Sequence, residues 1–382
     1  MRLSSKARAL APRALENYAE LAFAVYSDSV RGARTLATAV EQLVAAPSAE
    51  RLQIARSAWV SAREPYAQSE VFRFYDGPID RVEAQLNSWP IDESYVEAGL
   101  HGKRPGIIEN EAEFPALSAS VLAAANAKEG ETSVSSGYHV VEFLLWGSDT
   151  HADGPGDRPY TDYAVDGASG DSDRARVATR RGQYLRVASA QLVELLEQVR
   201  AEWAPNRADN YRGKFLRLSP EQALARAVKG MGSLSGPELA GERLTVAYAT
   251  KDQENEQSCF SDTTQTDLVN DAIGIENVCL GRYQGGDGNM LRGTGLCALI
   301  AAQAPSLAAS LEQRLRASVA AARAVPSPFD QAILGSDSAP GRQAVEAAMA
   351  ALRHQAETLS QVAALLGLKL SQSEETSSPG KR

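Results

Sequence analysis

No run of about 18 consecutive apolar residues occurs in this sequence, so no membrane-spanning helix is expected. Basic charge is also short. With 39 Lys and Arg against 48 Asp and Glu, the net charge is −9 and the pI lies near 5.2. No basic surface is left to neutralise phosphates, which argues against a nucleic-acid partner and against an anionic membrane. Aromatic residues make up only 6% while alanine is plentiful, a balance that favours closely packed helices over sheets. Cysteines number three and no Cys-x-x-Cys occurs, so a thiolate zinc site is not expected. The opening stretch, MRLSSKARALAPRALENYAE, is basic but lacks the apolar stretch of a signal peptide. It is also compatible with a leader removed ahead of this numbering.

What is present points to a globular chain. Apolar residues reach 44%, too many for disorder, and 382 residues exceed what one small core needs. Apolar positions recur at three and four through residues 10–45, then again through 48–74 after a Ser48 N-cap. Further helical stretches fall at 115–128, 134–147, about 175–203 and 219–234, and at TTQTDLVNDAIGIENVCLG. A last helix near 341–368 carries Val345, Met349, Leu352, Leu359, Val362 and Leu366 as one stripe. The stretch GSDTHADGPGDRPYTDYAVDGASGDSD is too rich in Gly, Asp and Pro for helix or core strand, and marks a boundary. The expectation is an all-α protein of two helical-bundle halves, residues 1–165 and 166–370, with a disordered tail at 371–382.

Several groups of polar residues could carry chemistry. In SSGYHVVEFLLWGSD, His139, Glu142 and Trp146 share one face of an otherwise apolar helix. An imidazole and a carboxylate three apart can reach one metal, or can simply hydrogen-bond to each other. Trp59, Arg63, Tyr66, Glu70 and Arg73 fall at spacings of 4, 3, 4 and 3, a single helical face unless Pro65 breaks the register. Buried, such a face needs its charges paired; exposed, it is merely solvated. Asp149, His151, Asp153 and Gly154 begin a calcium-loop pattern, but Tyr160 stands at its twelfth position, so calcium is not expected there. KDQENEQSCFSDTTQTD gathers Glu254, Glu256, Asp262 and Asp267 near Ser258 and Ser261. Cys279 and Cys297 flank a glycine-rich stretch that a disulfide between them would close, leaving Cys259 over.

Three of these stretches, in this order, resemble blocks of the imelysin family. GYHVVEFLLWGSDTHADGPGDRPYTDY resembles its Gly-x-His-x-x-Glu signature, which maps onto Gly137, His139 and Glu142. SAREPYAQSEVFRFYDGPID and QENEQSCFSDTT resemble blocks of its iron-regulated subgroup. The resemblance implies two bundle-like halves with a site at their junction, and export to the periplasm or attachment to the outer membrane. It also implies a role in iron acquisition, alongside other cell-envelope iron-uptake proteins. In the third block this chain has Gln257 and Gln265 where family versions often carry histidines.

The expected function is therefore binding of iron or another divalent metal, or a small metal complex, between the bundles. His139, Glu142 and Glu70 are the expected ligands, with Arg63, Tyr66, Arg73, Asp80, Trp146, Glu254, Ser258 and Asp262 around them. A metallopeptidase using His139 and Glu142, and a metal-free binding module, are the alternatives.

Overall fold

The computed structural model describes residues 3–98, 104–151, 153–165 and 172–367. The tail expected to be disordered lies outside them. The described chain is all-α apart from one two-stranded hairpin. Its longer helices are α1 (Ser5–Ala45), α2 (Ala49–Ser69), α3 (Tyr138–Trp146), α4 (Ser172–Glu202) and α5 (Pro220–Ser233). They are followed by α6 (Thr264–Leu280), α7 (Leu296–Gln303), α8 (Pro305–Ala324) and α9 (Pro340–Leu366). Among the described residues no helix is long and apolar enough to cross a membrane.

Local chemistry accounts for the ends. Ser4 and Ser48 accept hydrogen bonds from the Ala7 and Arg51 amides, and Ser219 and Gln222 form a reciprocal capping box at the start of α5. Pro65 does not break α2, which runs on to Ser69, and a short 3₁₀ turn (Glu70–Phe72) extends it. Trp59, Arg63, Tyr66 and Glu70 therefore do share one buried face, with Arg73 partly exposed beyond them.

α2 and α4 pack on α1, and α4 also packs on α3; α4, placed by sequence with the second half, thus lies against helices of the first. α8 packs on α9, and α6 packs on both α2 and α8, so α6 joins the two groups. Its approach to α2 needs Gly274, where a Cβ would lie 2.5 Å from the Gln68 carbonyl oxygen. After α5 runs a π-helical segment, Leu234–Thr245, followed by the short helix Val246–Thr250.

The glycine-rich stretch after α6 is a hairpin, β1 (Arg282–Gln284) against β2 (Met290–Arg292), with Tyr283 opposite Leu291. Cys279 and Cys297 are joined across its base, 18 residues apart. Cys259 is free and buried. In the chain-entropy account a loop of this length contributes about 3 kcal/mol. Cys279→Ser with Cys297→Ser is expected to lose about that much in urea unfolding, relative to the parent under non-reducing conditions.

Candidate functional site

α3 is nine residues long and wholly buried. Gly137 at its N-cap has φ +103°, and a Cβ there would meet the Leu86 carbonyl oxygen at 2.8 Å, so only glycine fits the start of the motif. From this helix His139 and Glu142, 1% and 0% exposed, point inward and bond to each other: Nδ1 lies 2.8 Å from Oε2. Oε1 of Glu142 accepts from the Ser261 amide at 3.0 Å and from the Ser261 hydroxyl at 2.6 Å. Among the described residues Nε2 of His139 has no partner.

Burial pushes the Glu142 carboxyl up to about 8, against the pull of the Ser261 bonds toward the charged form. Burial, then Arg63 and Arg243, hold His139 well below its ordinary value, so the ring is neutral. The pair therefore carries one proton more at pH 7 than a carboxylate–imidazole pair would. Because Oε1 already accepts twice, that proton sits on Oε2 and is donated to Nδ1. The ring hydrogen is then on Nε2, the atom without a partner.

Beside the dyad lies a network of buried ions. Arg63 donates to both oxygens of Asp267, at 3.1 and 3.0 Å, and to Asn87, and stands over the rings of Trp59, Tyr66 and Tyr138. Ser258 donates to the same Asp267 at 2.5 Å. Arg243, from the π-helical segment, bridges both oxygens of Glu70 to Asp271 at 2.9 Å and to Glu238 at 2.9 Å. Arg73 bonds Glu70 at 2.6 Å. Burial acts to raise Glu70, but Arg243 and Arg73 outweigh it and hold the carboxyl at about 2.

The expected ligand trio is not gathered. Glu70 is saturated by Arg243, Arg73 and Asn87, and Glu142 turns toward the ring of His139 instead of sharing a ligand with it. Among the described residues no three His, Cys, Asp or Glu side chains stand close enough to hold a metal ion. Arg63 and Arg73 are paired with carboxylates. Tyr66 packs 4.9 Å from Tyr138, and among the described residues its hydroxyl has no partner. Trp146 packs on Trp59. Asp80 accepts the Phe74, Tyr75 and Gly77 amides and so shapes the turn after α2. Asp262 and Glu254 do not join His139; burial, then other carboxyls, push each of them up to about 7. Gln257 accepts from Arg243 at 3.1 Å, and Gln265 donates to the Ala322 carbonyl at 3.4 Å.

Arg243, Asp271 and Asn87 were not singled out by the sequence. No spacing rule marks them, because each meets its partners across the fold. The uncompensated Glu70 was the one available hint, since a buried carboxylate demands a cation.

A family model matches residues 22–359, and its description is imelysin. The chain belongs to the imelysin family. It is similar to iron-regulated protein A of Synechococcus elongatus, 23% identical over 344 residues, covering 87% of this chain and 80% of that one. A Parabacteroides distasonis crystal structure, described as of an iron-regulated protein A precursor, superposes with a TM-score of 0.70 at 18% identity over 96% of each chain. An imelysin-like protein from Psychrobacter arcticus gives 0.66 at 15%, over 97% of this chain and all of that one. At those identities the two structures establish the shared imelysin fold, which agrees with the all-α expectation.

Proposed function

We propose that this imelysin-family chain takes up a metal as cargo in an iron-related process of the cell envelope, as a small complex that brings most of its own donors. One observation carries the reading: a buried neutral imidazole fixed at Nδ1 by a carboxyl, with Nε2 unpartnered among the described residues. That is how a histidine is oriented toward a metal by its outer partner. A bare ion would need three protein donors, which the described residues do not bring together. A complex needs one. The names of the relatives, iron-regulated protein A, support iron as the metal. The Cys279–Cys297 disulfide supports an oxidising compartment, the periplasm or the outer membrane's periplasmic face.

For His139 Nε2 to give its lone pair, the ring hydrogen must move to Nδ1 and the Glu142 proton must leave. Loading therefore releases one proton below pH about 8 and none well above it. Because the ring is buried, uptake also requires the segment carrying Ser261 to part from α3.

The test is elemental analysis of protein purified without a metal-affinity tag, after exposure to ferrous and ferric citrate, zinc and copper. Calorimetry in buffers of different ionisation enthalpy then counts the protons. Near-stoichiometric metal, one proton released at pH 7, and loss of both in His139→Ala are expected. No metal in the parent would sink the reading. Metal retained by His139→Ala would move the site elsewhere. Nothing in the geometry favours the peptidase alternative: Ser261 bonds the carboxyl, not the imidazole, and no third ligand among the described residues joins His139.

A further inference from the structure

A cavity of about 380 Å³ opens beside the Arg243 network. Glu83 and Trp89 reach it from the short helix Glu83–Leu86 and the chain just after it, and Glu238, Glu242 and Arg243 from the π-helical segment. A π-helix closes i→i+5 bonds, which stacks residues five apart. Glu238 and Arg243 are such a pair and bond at 3.2 and 2.9 Å. The wide turns thereby put an arginine and two glutamates on the face that lines the cavity. Such turns are rare and gather at functional sites.

The charge around the cavity is unbalanced. Glu83, Glu131, Glu238 and Glu242 meet two cations, Arg73 and Arg243, and both cations are already bonded to the ionised Glu70. The side chains of Glu83 and Glu238 are 20% and 23% exposed. Each turns Oε1 to a guanidinium, at 3.1 Å from Arg73 and 2.9 Å from Arg243. Among the described residues Oε2 of neither accepts a hydrogen bond or joins an ion pair. Burial lifts the Glu83 carboxyl against the pull of Arg73, and Glu70 and Glu238 add to the rise. Glu131 and Glu242 are exposed at the mouth and have no ion pair among the described residues. These oxygens need N–H donors.

Gln257 is an independent sign of a ligand. It is 3% exposed, and its Oε1 accepts from Arg243 at 3.1 Å, which fixes the amide. Nε2 then points the other way, into the cavity that Gln257 lines, and among the described residues it donates to nothing. The half-buried Trp89 adds an aromatic surface of the kind on which an ammonium ion rests. A metal ion does not fit these walls: among the described residues no three ligating side chains stand close enough to hold one.

We propose that this cavity binds a small organic ammonium compound that also carries an acceptor oxygen, the class of amino alcohols and amino acids. Oε2 of Glu83 and of Glu238 receive its N–H groups, with Glu131 and Glu242 at the mouth. Nε2 of Gln257 donates to its oxygen, and Trp89 covers its apolar part. The site does not use His139, so it stands whether or not a metal cargo is held there.

The test is titration calorimetry on the full chain at low ionic strength, with lysine and with ethanolamine. Tetramethylammonium chloride, magnesium chloride and sodium chloride are run beside them. Saturable one-to-one binding of lysine or ethanolamine is expected, and none of the salts should match it, since tetramethylammonium has the charge but no N–H. Glu83→Gln should weaken binding by about tenfold, the size of one charge-assisted hydrogen bond. Glu131→Gln with Glu242→Gln changes only exposed side chains and should weaken it by about threefold while flattening its salt dependence. Thermal unfolding by circular dichroism shows that each variant folds. His139→Ala should bind as the parent does, which separates this site from the one proposed for the metal cargo. Neither probe binding, tetramethylammonium or magnesium binding as tightly as the better probe, or both carboxylate variants binding like the parent, overturns the proposal.

Discussion

Arg243→Met is expected to destabilise the fold by about 3–5 kcal/mol at pH 7 in urea unfolding. The methionine fills much of the volume but takes a cation from two fully buried carboxyls. Glu70 would keep only Arg73 and Asn87. Asp271, whose Oδ1 is already without a partner among the described residues, would lose the cation on its other oxygen. The pH dependence gives the cause away. In the parent, Glu70 is held at about 2, so its stabilising contribution is complete above the unfolded value near 4.5 and is lost as pH falls through 2. In the variant that contribution is largely gone, so the gap between the two proteins holds from pH 7 to about 4.5 and narrows as pH falls from there toward 2. Adding Glu70→Gln and Asp271→Asn should recover a large part of the loss, because it is a penalty for unpaired charge and not for a missing contact. A loss under about 1 kcal/mol would mean that water reaches these carboxylates and that the network is not buried as described.

Glu142→Gln is expected to stabilise the protein at high pH and to change little at pH 5. The Glu142 carboxyl is raised from 4.5 to about 8 by burial. A raised carboxyl contributes stability that is complete below its unfolded value and is lost as pH climbs through the folded one. The parent should therefore weaken between pH 4.5 and 8, by on the order of 5 kcal/mol at most. Glutamine never ionises and keeps a partner for both Nδ1 and Ser261, so its stability curve should be nearly flat over that window. Unfolding in urea at pH 5, 7 and 9 decides it: two curves that stay parallel across that range would show that Glu142 is ionised in the fold. The same variant tests function. The substituted amide has no proton to release, so proton release on loading should vanish even if some metal still binds. If every ligand property survives unchanged, the pair is a structural hydrogen bond and the chain works by another surface.

The helices were legible because their causes are local. Alanine-rich periodicity, Ser N-caps and the glycine ends of α3 and α6 mark where α1, α2, α3, α6 and α9 begin or stop, to within a few residues. The region 235–250 was less legible. Its π-helical segment is held by packing against α5 and α9, a tertiary influence that no local pattern announces. The hairpin in the glycine-rich stretch was read only as a loop that a disulfide could close.

The site divided in the same way. The sequence by itself determined that His139 and Glu142 sit inside an apolar helix, that Gly137 opens it, and that Arg63, Tyr66 and Glu70 face one way along α2. Which charges meet was decided by the tertiary structure. Glu70 is compensated by a residue 173 positions away, Arg63 by one 204 away, and Glu142 is bonded by one 119 away. Periodicity tells which face of a helix is buried, whereas the energy of a buried charge depends on what the opposing face presents. That is why Glu70, a candidate metal ligand by spacing, is an arginine's partner in the fold.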